Sequence, residues 1–174
     1  MAGYSNTPLA QKLGIKPGSR VVVASAPPGF ENALGKLPDA AVLADAGASR
    51  GFFDVALLFT TKLSDLSKRI GALQKRMDPA AGLWVAWPKR SAGVETDLTE
   101  NVVREVALAR SLVDNKVCAI DDTWSGLRLV YRLADRGKVS APPTRAPARA
   151  AGAGARGAPK GRSPAKSRAR AGRR

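Results

Sequence analysis

An α/β domain whose mostly parallel sheet closes on an antiparallel hairpin is predicted by three observations. Two apolar runs, residues 53–60 and 82–87, flank a segment in which Leu63, Leu66, Ile70, Leu73 and Met77 recur at three- and four-residue spacing. Lys62, Asp65, Lys68, Arg69, Lys75 and Arg76 fall mostly elsewhere on that helical wheel. Strand, helix, strand is a crossover unit with parallel strands, and runs apolar on both faces fit interior strands. Finally, residues 117–120 and 127–133 are apolar runs joined only by residues 121–126, too few for a crossover, so this pair is antiparallel.

The remaining elements follow in chain order. Thr7-Pro8 reads as a helix start, Leu9, Ala10 and Leu13 as its apolar face, and Gly14 as its end. After the turn Lys16-Pro17-Gly18, the β-branched residues 20–25 read as a central strand. Residues 26–30 form a loop, 31–37 a short helix stopped by Pro38, and 41–45 an alanine-rich strand. Beyond the crossover unit, Asp97 stands three residues before Glu100, a capping-box spacing for a helix with Leu98, Val102, Val106 and Ala109 buried.

Charge divides the chain. It has 174 residues with 29 Lys and Arg, 14 Asp and Glu and no histidine, a net charge of +15. All the acids and 17 of the bases lie within residues 1–135, and twelve bases follow. We therefore expect a nearly neutral domain over 1–135 and a basic Ala/Pro/Gly/Arg/Lys-rich tail over 136–174. The tail has no aromatic residue and one valine, too little to offset ordering entropy, and is expected to be disordered. Cys118 is the lone cysteine, which excludes an intrachain disulfide. Without histidine there is no histidine-based triad and no histidine metal ligand; carboxylate sites for magnesium or calcium stay open in principle, but no metal site and no bound cofactor is expected. The first residues lack the features of a signal peptide and no run is long enough for a membrane span, so a cytoplasmic protein is the expectation.

The order of elements resembles the Rossmann-like fold of the S-adenosylmethionine-dependent methyltransferases, trimmed by one crossover helix, with the terminal hairpin as its distinguishing mark. The resemblance implies a three-layer, methyltransferase-like sheet. Four stretches also resemble an uncharacterised bacterial family, domain of unknown function 3052. They are Thr7-Pro8-Leu9-Ala10-Gln11-Lys12-Leu13-Gly14, Leu83-Trp84-Val85-Ala86-Trp87-Pro88-Lys89, Thr96-Asp97-Leu98-Thr99-Glu100, and residues 113–127 with Asp121-Asp122-Thr123-Trp124-Ser125-Gly126-Leu127. That family implies a fold and no activity.

Ligands of open α/β sheets sit beyond the carboxyl ends of the strands. Ser25 and Gly29 after the first strand and Asp45 after the second are the cofactor-binding candidates. Asp45 stands where a ribose-binding acid belongs, or is a solvated loop acid. Against a cofactor, the turn Ala24-Ser25-Ala26-Pro27-Pro28-Gly29 is not glycine-rich, and its two prolines remove backbone donors. Lys62, Lys89 and Arg90 could converge on an anion, or be ordinary surface cations. Trp84 and Trp87 read as core or rim packing. Asp97 and Glu100 read as helix-start residues before they read as an acid pair. Asp121, Asp122 and Trp124 could contact a protein partner, or form a hairpin turn with Trp124 folded onto the sheet. Cys118 alternates with apolar residues and reads as a small buried side chain.

In the tail, Arg145, Arg149, Arg156, Lys160, Arg162, Lys166, Arg168, Arg170, Arg173 and Arg174 are spaced by small residues, a pattern suited to meeting phosphates of DNA or RNA without sequence preference. The expected function is accordingly a non-enzymatic Rossmann-like module held to nucleic acid by its tail. The alternatives are a divergent S-adenosylmethionine-dependent methyltransferase or nucleotide-ligand enzyme, and a protein-binding adaptor acting through the loop around Trp124.

Overall fold

The computed structural model describes residues 6–139. Six strands form one sheet: β1 (Arg20–Ala24), β2 (Val42–Asp45), β3 (Phe53–Phe59), β4 (Met77–Pro88), β5 (Leu112–Ala119) and β6 (Trp124–Tyr131). Their order is β2-β1-β3-β4-β6-β5. The first four strands are mutually parallel, and β6 is antiparallel to both β4 and β5. The fold is thus a mixed α/β sheet with an antiparallel end, as the apolar runs predict. Among the described residues no helix is long and apolar enough to cross a membrane.

Helices cover both faces. On one, α1 (Leu9–Lys12) and α2 (Phe30–Leu34) pack with Val21, Val23, Val55, Leu57, Phe59 and Trp84. On the other, α3 (Leu63–Gln74) and α4 (Glu100–Leu108) pack with Ala56, Leu58, Leu83, Val85, Leu127 and Leu129. From Val55 to Phe59, strand β3 alternates between the two cores, which is why that run is apolar without a break. Leu57 and Leu58 are both fully buried, each worth about 1.5–3 kcal/mol.

Several boundaries differ from expectation, for tertiary reasons. Met77 is not the last turn of α3 but the first residue of β4, paired with Phe53. The helical period continues past Gln74, yet Phe53 N–H donates to Arg76 O and draws the chain into the sheet. Between Met77 and Gly82 the register with β3 shifts. Pro79 sits in this irregular stretch, and Asp78 Oδ1 accepts from Ala80 N–H, so the strand was hidden behind a proline. The helix expected over 31–37 is shorter and ends at Gly35, with φ of 71°. In α4 the deepest residues are Val103 and Ala107, Val102 and Val106 are partly buried, and Ala109 is exposed. Short 3-10 helices occupy Arg90–Ala92 and Leu133–Lys138, and Val139 packs on the α3/α4 core.

Trp84 sits at the centre of β4, 0 % exposed. Its indole N–H donates to the main-chain oxygen of Leu13 at 3.0 Å, tying the end of α1 to the sheet. On β6, Gly126 makes room for the ring: a β-carbon there would lie 3.2 Å from Trp84 Cε3 and 3.0 Å from Ile120 Cδ1. Trp84→Phe should therefore destabilise the domain by about 2–4 kcal/mol, from lost packing plus an unsatisfied buried carbonyl. Urea unfolding of both proteins measures this, and an unchanged midpoint would show that the bond to Leu13 contributes nothing.

Candidate functional site

Because β1 to β4 are parallel, their carboxyl ends share one edge of the sheet. The chain leaves β1 for β2 on one side, and β3 takes the other side. The crevice beyond the ends of β1 and β3 is thus a topological switch point, where the loops diverge.

Two of the sequence candidates lie in the loop that leaves β1. Ser25 has φ of 56° and Gly29 φ of 82°, both in the left-handed region. A serine pays for that conformation where glycine would not, and such residues cluster at ligand sites. Ser25 Oγ accepts from Arg69 Nη1 at 2.8 Å, and the same nitrogen pairs with Asp65 Oδ2 at 3.3 Å, one turn earlier on α3. The turn is therefore sharp without a glycine at its start. Gly29 precedes Phe30, whose ring meets Phe59 edge-on with centroids 5.0 Å apart.

Asp45 is exposed at the end of β2, in register with Val23. Its Oδ1 accepts from the N–H groups of Gly47 at 2.8 Å and Ala48 at 3.2 Å, an Asx turn. Oδ2 accepts no hydrogen bond among the described residues. Asp45 lines a hollow of about 170 Å³ together with Val23, Ala26, Phe30 and Glu31. Further along the edge, Thr61, Lys62, Glu95, Thr96 and Asp97 line one of about 280 Å³. Beyond the end of β4, Trp87, Pro88, Arg90, Thr96, Leu98 and Thr99 border a cleft of about 560 Å³.

A strap over the end of β3 separates these last two spaces. Thr96 Oγ1 donates to Thr61 O at 2.7 Å, and Asp97 Oδ1 accepts from Leu63 N–H at 2.7 Å. Asp97 thus caps α3, not the helix that follows it. Thr99 caps α4, its side chain accepting from Val102 N–H. Glu100 instead pairs with Arg104 at 2.6 Å, and Arg104 also reaches Asp114 at 3.2 Å; these two carboxylates raise the guanidinium's pKa. Asp97 and Glu100 are consequently not an acid pair.

The other candidates are dispersed. Lys62 lies at the start of α3, Arg90 borders the cleft beyond β4, and Lys89 Nζ donates to Asp121 O at 2.6 Å, so the three do not converge. Asp121 Oδ1 accepts from Thr123 N–H and Trp124 N–H, closing the hairpin turn, while Asp122 is exposed. Trp124 is half-buried, edge-on to Phe59 with centroids 5.2 Å apart. Cys118 is half-buried on β5, and burial pushes its thiol pKa up, against the opposing pull of Lys116 and Lys12. Arg145, Arg149, Arg156, Lys160, Arg162, Lys166, Arg168, Arg170, Arg173 and Arg174 lie outside the described residues.

Arg69 and Glu31 were not among the sequence candidates. Arg69 stands four residues after Asp65 in the first turns of a helix that follows a parallel strand, which places it at the carboxyl edge. Glu31 follows the one glycine of the first turn. Both positions were readable from spacing, but neither reach was.

No family model matches the chain, and no curated protein does. Solved structures do match in fold. A SAM dependent methyltransferase from Aquifex aeolicus superposes with a TM-score of 0.52 at 13% identity, over 70% of this chain and 86% of that one. A ribosomal protein L11 methylase from Lactobacillus delbrueckii subsp. bulgaricus does so with a TM-score of 0.50 at 12% identity, over 71% and 75%. The fold is methyltransferase-like. This corrects the expectation of a non-enzymatic module, because the domain's structural neighbours are a SAM dependent methyltransferase and a ribosomal protein methylase. That expectation rested on the charge split and on missing catalytic parts, the glycine-rich turn among them; in the structure Ser25 and Gly29 both adopt left-handed backbone there.

The two caps separate cleanly by experiment. Asp97→Ala should cost about 1 kcal/mol and speed amide exchange in the first turn of α3, leaving α4 protected. Thr99→Ala should do the reverse. Loosening of α4 alone by Asp97→Ala would restore the capping box that the spacing suggests.

Proposed function

We propose that the domain is a divergent S-adenosylmethionine-dependent methyltransferase. The observation that carries this reading is the hollow at the carboxyl ends of β1 and β2, on the β2 side of the switch point, where Asp45 and Glu31 lie beside Phe30. Its donor set suits a nucleoside: a carboxylate oxygen free to accept from a ribose diol, an aromatic ring, and a left-handed turn that brings main chain close. When bound, the cofactor would supply an activated methyl group. Asp45 would hold the ribose, and the loop from Ser25 to Gly29 would border the remainder. Pro27 and Pro28 offer no N–H, so this loop binds by shape and through few main-chain donors.

An acceptor would enter through the wider cleft beyond β4, bounded by Trp87, Pro88 and the strap at Thr96. Apolar Trp87 and Leu98 would exclude water there, while Thr96 stays committed to Thr61. Similarity in the four stretches named above supports reading the chain as a member of the domain of unknown function 3052 family, a bacterial and cytoplasmic protein.

Titration calorimetry of the full chain with S-adenosylhomocysteine and S-adenosylmethionine tests this. Binding in the micromolar range is expected, about −7 to −8 kcal/mol. Asp45→Asn, which keeps the Asx turn but removes the charge, should weaken it roughly tenfold or more. Absence of heat and of any thermal shift with both compounds would retire the proposal.

A further inference from the structure

On the face of the sheet that carries α1, and well short of the carboxyl edge, lies an arginine with no counter-charge. Arg128 of β6 stands opposite Trp84 on β4 and opposite Lys116 on β5. Its side chain is half-buried. All fourteen Asp and Glu residues lie among the described residues, and none is within ion-pair distance of it. The one hydrogen bond it makes among them is long, 3.4 Å from Nη1 to Asn115 Oδ1. A guanidinium carries five N–H donors, so most of its capacity is turned outward.

Two departures from regular structure accommodate this side chain. Where Arg128 lies, Gly82 on β4 leaves its side chain the space of a β-carbon: one built there would strike Nε and lie 3.0 Å from both Cζ and Nη2, so the arginine would have to move. The guanidinium thus rests on bare backbone. On β5 the register shifts between Asp114 and Lys116, so Asn115 is an inserted residue and both Asn115 and Lys116 flank Arg128. Bulges of this kind re-aim side chains and are common beside binding sites. Arg136, half-buried itself, adds a second guanidinium near enough to bear on the charge of the first, and Lys116 adds an ammonium, anchored by one bond to Lys12 O at 2.7 Å.

Holding cations together, partly out of water and without an acid, is costly unless something else supplies the negative charge. Burial, then the charge of Arg136, lowers the Arg128 pKa, and the negative charge of a bound anion would oppose that lowering. We propose that Arg128, Arg136, Lys116 and Asn115 form an oxyanion site for a phosphate group, seated on Gly82. The planar fork of Arg128 meets two oxygens of a phosphate, and Lys116, held in place by Lys12 O, adds a point charge from the neighbouring strand. The site is remote from the β1/β2 crevice, so it stands or falls independently of the methyltransferase reading.

The test uses the full chain, labelled with nitrogen-15, and follows the arginine Nε–H resonances while pyrophosphate is added at constant ionic strength. Arg128→Gln assigns the Arg128 signal. That signal should move saturably with a midpoint on the order of 1 mM, while Arg20, already paired with Asp54 at 3.2 Å, stays in place. Arg136→Gln, a substitution outside the sheet, should raise the midpoint roughly fivefold. Acetate at equal ionic strength should leave the signal unmoved. An Arg128 resonance that fails to shift at tenfold that concentration, or that responds equally to acetate, would overturn the assignment.

Discussion

The burial of Trp84 is the constraint on which the arrangement depends. It is the largest side chain in the interior, it stands on an inner strand, and its one polar atom needs a partner away from water. Leu13 O is that partner, and it can serve only because Gly14 and Ile15 turn the chain back after α1, with Ile15 N–H bonded to Ala10 O. Across the sheet, Gly126 yields the volume the ring takes. One residue therefore ties the end of the first helix to the sheet and takes the volume left open on the neighbouring strand.

The carboxyl edge is built on that platform. Phe59, at the end of β3, takes Phe30 on one side and Trp124 on the other, both edge-on. This aromatic trio fixes the loop after β1 relative to the hairpin turn, so the switch-point crevice has firm walls. Trp124 thereby belongs to the architecture of the edge, and Asp121, which closes the turn beneath it, spends its Oδ1 on that closure.

The central crossover unit and the hairpin were legible because they follow from runs of residues. Six of the seven positions in β3 are apolar and need cover on both faces, and the four residues between β5 and β6 are too few for a crossover helix. What escaped were matters of long-range partnership. The spacing of Asp97 and Glu100 is that of a capping box, but Asp97 is 34 residues from the Leu63 N–H it satisfies, and no local rule reaches that far. Met77 obeys the helical period and is claimed by Phe53 all the same. The left-handed turn at Ser25 lacks the glycine that would announce it, and is held by Arg69, 44 residues later. The solitary state of Arg128 emerges only when every acid has been placed.

Helix α3 joins several of these features. Its first N–H is held by Asp97, its second turn grips Ser25 through Arg69, and just past its end Arg76 donates to Ala46 O and Gly51 O, both at 2.9 Å, and to Ser49 Oγ at 3.2 Å. Twelve residues make a stiff rod about 18 Å long. The three loops that border the carboxyl edge are therefore levers on a single shaft. The β1 turn, the strap at Thr96 and the segment after β2 thus hang on one support, and local opening of that helix would release all three together.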